Sequence, residues 1–135
     1  MTEKAQKDVD VLIIGAGSGG YVAAIRAAQL GRKVVLVDKA ELGGVCLNRG
    51  CIPSKALISA SERVKHIKGA NLMGIKVSGE VEVDMPEVVK WKDGVVNKLT
   101  SGVQSLLKGN GVEVISGEAY LTEPHTVRIR TENGE

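Results

Sequence analysis

The chain has two cysteines, and both stand in one segment, Gly43-Gly44-Val45-Cys46-Leu47-Asn48-Arg49-Gly50-Cys51-Ile52-Pro53-Ser54-Lys55. A close pair of thiols can serve in three ways. As metal ligands they fall short, because a structural zinc wants four Cys or His donors and only the isolated His66 and His125 remain. As inert residues they could simply fill a core, where free cysteine is common. As a redox pair they have a mechanism. The N-terminus of a helix lowers a thiol pKa, and Lys55 adds positive charge in the first turns. Residues five apart on a regular helix point to different faces, so a bond between Cys46 and Cys51 requires a distorted first turn. Gly50 and Pro53 permit one. The spacing alone leaves the inert and redox readings both open.

A second group of residues suits a different task. Gly15-Ala16-Gly17-Ser18-Gly19-Gly20 satisfies G-x-G-x-x-G, a pattern that is weak alone and informative between a strand and a helix. Gly15 suits a tight turn, Gly17 lets the backbone approach a pyrophosphate, and Gly20 allows close packing of helix on strand. The first-turn amides of the following helix, around Ser18 and Gly19, face the phosphates unpaired. Asp38, 18 residues after Gly20, is expected to accept bonds from the adenosine ribose hydroxyls. This fingerprint selects a dinucleotide without choosing between a nicotinamide and a flavin.

Both groups need elements to hold them. Val9 to Ile14 is apolar except for Asp10 and reads as a strand buried on both faces, as in a parallel sheet. Tyr21, Ala24, Ile25 and Ala28 recur at helical spacing, and Gly31 closes that helix. Val34 to Val37 is a second buried strand, ending at Asp38, so the first 38 residues form a βαβ unit. A loop rich in glycine and cysteine leads to a helix headed by Pro53 and running to about Lys68. Val81-Glu82-Val83 has short β character. Asp84 and Glu87 stand at capping-box spacing with Pro86 in the first turn, opening a helix that could reach Lys108. Val112 to Ile115 reads as a third buried strand. Ala119 to Leu121 and Thr126 to Arg130 read as an antiparallel pair. Asn133-Gly134 is a turn signal that asks for another strand. The expected fold is α/β, a Rossmann-like parallel sheet flanked by helices with a small antiparallel meander, incomplete at its C-terminal end.

Composition narrows the function classes. The chain has 135 residues, 43% of them hydrophobic and 25% charged, with 18 basic against 16 acidic side chains. That is one ordinary globular domain, and a net charge of +2 argues for neither nucleic acid nor a membrane surface as main partner. Three aromatic residues, Tyr21, Trp91 and Tyr120, leave little for base stacking. Trp91 at a helical apolar position reads as packing, His66 as solvated on a polar helix face, and His125 as a turn residue after Pro124. No run approaches the roughly 18 apolar residues of a spanning helix. The N-terminal residues carry acids and no apolar signal region, so the expected location is cytoplasmic.

The run from Gly43 to Leu57 resembles the active-site segment of the flavin-dependent pyridine nucleotide–disulfide oxidoreductases, whose lipoamide-oxidising branch reads G-G-[TV]-C-L-N-x-G-C-I-P-S-K-A-L. Gly15 to Gly31 resembles the same family's first helix, and Leu47 and Ile52 favour that branch over the relatives reducing glutathione or mercuric ion. The resemblance implies FAD held by this chain, and NAD at a site outside it. It makes Cys46 the thiol that exchanges with a dithiol substrate, and Cys51 the thiol beside the flavin ring. Lys55 would lie near the flavin N5. Asp38 and Lys39 would stand at the adenosine end, Gly43, Gly44 and Val45 along the cofactor, and Gly117 and Ala119 against the adenine. The implied reaction oxidises protein-bound dihydrolipoamide with NAD. The implied partners are a lipoyl-bearing protein of a 2-oxoacid dehydrogenase or glycine cleavage complex and a second copy of the chain. Residues 1–135 would then be the N-terminal part of the FAD-binding domain. The family's NAD-binding and dimer-interface domains and its His-Pro-Thr base are not among these residues, so they are expected to be inactive alone. Two positions depart from the family: Asp38 where Glu is usual, and Arg49 where a small or apolar residue is common.

Overall fold

The computed structural model describes residues 6–132 and Gly134. The chain opens with β1 (Val11–Ile14), α1 (Ser18–Gln29) and β2 (Val34–Asp38). The two strands pair in parallel, Val11 opposite Val34 through Ile14 opposite Val37, as a βαβ unit demands. The helix ends where its sequence says: the Gly31 amide donates to Ala28 and the Arg32 amide to Ala27, a Schellman closure.

Next come α2 (Gly44–Asn48), α3 (Cys51–Gly69), a 3₁₀ turn at Ala70–Met73 and α4 (Met85–Gly109). Asp84 caps α4, its side chain accepting from the Glu87 amide at 3.1 Å, with Pro86 in the first turn where a missing N–H costs nothing. β3 (Glu113–Ser116) then pairs in parallel with β2, giving the order β1–β2–β3. β4 (Glu118–Glu123) and β5 (Thr126–Arg130) form a separate antiparallel hairpin.

Side chains alternate across β2. Val34 and Leu36 join Ala16, Ala24, Leu47, Val103, Leu107 and Val112 in one buried cluster. The Tyr21, Ile25 and Ala28 face of α1 packs onto it. Helices α1 and α4 thus share a core with the central strand, and α3 lies against α4.

Four expectations need correction. Only β2 is buried along its length; β1 and β3 are sheet edges, with Ile14 51% and Val114 39% exposed, because no further strand flanks them among the described residues. Val81-Glu82-Val83 makes no strand, since no neighbouring segment supplies a ladder and three residues cannot form one alone. Trp91 is about half exposed instead of packed. The loop between β2 and α3 contains a helix, α2, that its glycine content concealed. The Asn133-Gly134 turn falls partly on Asn133, which lies outside the described residues; Gly134 itself bridges back to Thr131.

Candidate active site

The glycine turn between β1 and α1 is shaped by two contacts and one open space. Gly15 has φ +102° and donates its amide to the Val37 carbonyl at 2.7 Å, a conformation that side-chain-bearing residues rarely adopt. A Cβ on Gly20 would overlap the Gly15 carbonyl oxygen, so the helix sits as close to the turn as a backbone can. Gly17, the N-cap of α1, has open space where its side chain would be, and no side chain caps the helix. The first-turn amides are left for another acceptor.

Asp38 ties this turn to the end of β2. One carboxylate oxygen accepts from the Ala16 amide at 2.5 Å and the other from the Ala40 amide at 2.7 Å. Its expected partners were ribose hydroxyls; the partners it has are backbone. Each oxygen keeps a second lone pair, so both uses are compatible. Charge-assisted bonds of this kind are worth about 1.5–3 kcal/mol each. Asp38→Ala is therefore expected to lower the stability of the turn as well as cofactor retention. Denaturant unfolding with and without added FAD separates the two, and an unchanged midpoint in the absence of FAD would contradict the anchoring role.

The cysteines do not share a helix. Cys46 lies in α2 and Cys51 opens α3, with Arg49 and Gly50 as a corner between them. This resolves the facing problem better than a distorted first turn, because two short axes meeting at an angle can bring residues five apart together. Several contacts build the corner. Leu47 anchors α2 in the core. The Asn48 side-chain amide donates to the Leu42 and Gly44 carbonyls, both at 2.9 Å. The Arg49 amide closes α2 on Val45 at 2.9 Å, and the Ser54 amide starts α3 on Gly50 at 3.1 Å. Gly44 lies against the glycine turn, where a Cβ would come within 2.7 Å of the Gly17 Cα. The cysteine segment and the dinucleotide turn are thus in direct contact.

Both cysteines are free thiols, Cys46 half-buried and Cys51 exposed. Their hydrogen bond, then desolvation, then the charge of Cys51 push the Cys46 thiol above its ordinary range, while Lys55 acts weakly in the other direction. The sign is opposite to that expected from a helix N-terminus and Lys55, because the neighbouring sulfur is the largest influence. A raised pKa means less thiolate at a given pH. Cys51→Ala removes the largest cause and should shift the pH profile of Cys46 alkylation, followed by mass in the reduced protein, to lower pH. An unmoved profile would show that the sulfurs do not interact.

Just beyond Asp38, Lys39 pairs with Glu118 at 3.5 Å, and Glu118 accepts from the Tyr120 hydroxyl at 2.5 Å. Gly117 donates to the Asp38 carbonyl at 2.9 Å, and a Cβ on it would strike the Arg130 carbonyl. The start of β4, with Gly117 and Ala119, is thereby held beside Asp38 and Lys39. Gly43, with φ +93°, donates to the Ala16 carbonyl at 2.9 Å. Val45 and Lys55 are exposed on α2 and α3.

Residues 9–135 match the family model described as pyridine nucleotide-disulphide oxidoreductase. The chain belongs to that family. It is 60% identical over 126 residues to dihydrolipoyl dehydrogenase of Bacillus subtilis, covering 93% of this chain and 27% of the relative. The enzyme of the same name from Geobacillus stearothermophilus is 59% identical, over 90% of this chain and 26% of the relative. Dihydrolipoyl dehydrogenase 3 of Haloarcula marismortui is 53% identical, over 89% and 25%. Among solved structures, the Cu(II) complex of the HOCl-induced flavoprotein disulfide reductase RclA from Escherichia coli superposes with a TM-score of 0.70. It is 27% identical and covers 88% of this chain and 24% of that one. The chain spans about a quarter of the length of the relatives it matches.

As a member of the pyridine nucleotide-disulphide oxidoreductases, the chain has residues that fit a dinucleotide. Gly17 opens onto free space, the first turn of α1 is uncapped, and Gly44 completes the cradle. The structure brings Gly15 to Gly20, Asp38, Gly43, Gly44 and Cys46 around one end of the sheet. It also adds residues the sequence reading overlooked. Asn48 pins α2, and Glu41 grips Arg49 in a bidentate pair at 2.7 and 2.8 Å, which accounts for the arginine. Among the described residues no helix is long and apolar enough to cross a membrane.

Proposed function

We propose that the protein is an FAD-dependent disulfide oxidoreductase that oxidises protein-bound dihydrolipoamide to lipoamide with NAD as final acceptor. One observation carries the reading: two thiols meet across the α2–α3 corner, and Gly44, which opens α2, rests against the turn before the uncapped helix α1. The names of the relatives in Bacillus and Geobacillus support the substrate. Residues 1–135 form the N-terminal part of the FAD-binding domain, and NAD binds at a site outside them.

In this reading Cys46 and Cys51 cycle between a disulfide and two thiols. A substrate thiolate attacks the Cys46 sulfur, forming a mixed disulfide, and the Cys51 sulfur leaves with the electron pair. The second substrate thiol then displaces Cys46, so the substrate becomes a disulfide and both cysteines are reduced. Cys51 opens a 19-residue helix, whose unpaired N-terminal amides favour the negative charge on the leaving sulfur. FAD, when bound, would supply a two-electron acceptor for the cysteine pair. The residues that would hold it are Gly15, Gly17, Ser18, Gly19 and Gly20 at the pyrophosphate, and Asp38, Lys39, Gly117 and Ala119 at the adenosine. Gly43, Gly44, Val45, Cys46 and Lys55 would line the rest. The protein works in the cytoplasm as a homodimer with a lipoyl-bearing partner of a 2-oxoacid dehydrogenase or glycine cleavage complex.

The test is substrate competition. The whole protein, loaded with FAD, is assayed for NADH formation from dihydrolipoamide, and in reverse for NADH oxidation by lipoamide, glutathione disulfide and mercuric ion. Lipoamide should be preferred by orders of magnitude. Equal or greater rates with another disulfide would favour a sister reductase, the class to which the RclA likeness also belongs.

A further inference from the structure

Arg49 stands between the two cysteines, on the corner that sets their approach. Its guanidinium takes both oxygens of Glu41, at 2.7 and 2.8 Å, a fork geometry that fixes orientation as well as distance. Glu41 belongs to the short loop between β2 and α2, and that loop is tied on both sides. The Ala40 amide is held by Asp38, and the Gly43 amide by the Ala16 carbonyl in the dinucleotide turn. The Gly44 amide, at the start of α2, reaches back to the Glu41 carbonyl at 3.2 Å. Glu41 is therefore a fixed point, and Arg49 is the side chain by which the corner grips it. Asn48 makes a second grip on the same loop through Leu42.

Each ion lowers the free energy of the other's charged form, Glu41 falling below and Arg49 rising above its usual range.

We infer that Glu41 and Arg49 are positioning residues that clamp the α2–α3 corner to the β2–α2 loop and so favour the Cys46–Cys51 disulfide over the dithiol. The inference rests on the proposed redox role of the pair. A clamp that shortens the search of one sulfur for the other raises the effective concentration of the thiols, and releasing it should make the disulfide easier to reduce.

The experiment equilibrates the whole protein with defined ratios of reduced and oxidised glutathione, traps thiols by rapid alkylation and counts them by mass. In the exchange one Cys46–Cys51 bond and two glutathione thiols give two cysteine thiols and one glutathione disulfide, so the ratio yields the equilibrium constant directly. Glu41→Gln, Arg49→Gln and the double variant are compared with the parent; both side chains are more than half exposed, and surface substitutions of this kind usually change stability little. Each single variant should shift the equilibrium toward the dithiol by about two- to fivefold, the range for an exposed pair of good geometry. The double variant should shift no further than either single, and the differences should shrink near 1 M salt. Unshifted single variants, shifts of opposite sign, or additive shifts would overturn the clamp. Absence of any Cys46–Cys51 disulfide in the parent, at every glutathione ratio, would instead remove the redox reading on which the clamp rests.

Discussion

Replacing Cys46 or Cys51 by Ser should lower dihydrolipoamide-dependent NADH formation by roughly a thousandfold or more, because a residue acting as half of a covalent couple cannot be spared. The two variants should nevertheless differ. Cys46 sits half-buried in α2, whereas Cys51 is exposed at the N-terminus of α3. With Cys46 replaced, the Cys51 sulfur should remain free to donate charge to a bound flavin, giving a long-wavelength absorbance. With Cys51 replaced, that band should be absent, and Cys46 should remain the thiol that accepts a mixed disulfide from substrate. Identical spectra in the two variants would remove the assigned asymmetry, and retained turnover in either would remove the couple.

Gly20→Ala should be the most damaging small substitution in the dinucleotide turn. The added methyl has nowhere to go: it overlaps the Gly15 carbonyl oxygen and lies 3.6 Å from Ile13. The obstacle is backbone, so no rotamer relieves it, and α1 must move off the turn. Overpacking of this kind costs about 1–3 kcal/mol and occasionally more, and the displaced helix would carry its first-turn amides out of alignment. Loss of FAD binding should accompany the loss of stability. Gly17→Ala makes the informative contrast, since its methyl meets nothing in the protein. That variant should fold like the parent and still bind FAD more weakly, if Gly17 is where the pyrophosphate approaches. Equal FAD affinity in Gly17→Ala and the parent would separate the open space at Gly17 from cofactor binding.

What could be read in advance was local. Asp84, Pro86 and Glu87 mark the start of α4, and the glycine at position 31 marks the end of α1, because caps are decided by residues within one turn. The Tyr21, Ala24, Ile25 and Ala28 stripe marks the buried face of α1 by periodicity alone. The glycine turn was legible too, since the positive φ of Gly15 and the close approach of Gly20 to the Gly15 carbonyl are both set within the same βαβ unit. What escaped was set by residues distant in sequence. Helix α2 has five residues and begins with glycine, too short to form from propensity; Leu47 in the core and the Asn48 side chain hold it. Arg49 and Glu41 are eight residues apart, a spacing that no helical or strand period brings together. The bond from Asp38 to the Ala40 amide follows a familiar local pattern for aspartate and was within reach of a sequence reading. Its bond to Ala16 crosses the sheet and was not. The exposure of β1 and β3 depended on what flanks the sheet, which strand composition does not encode.

If a flavin and the Cys46–Cys51 pair act in series as one electron store, an anaerobic reductive titration of the whole FAD-loaded protein should show it. Full reduction should consume two two-electron equivalents per flavin, with two alkylatable thiols appearing at Cys46 and Cys51 after the first, before the flavin is bleached. Complete bleaching after a single equivalent, with no change in the alkylation of either cysteine, would contradict it.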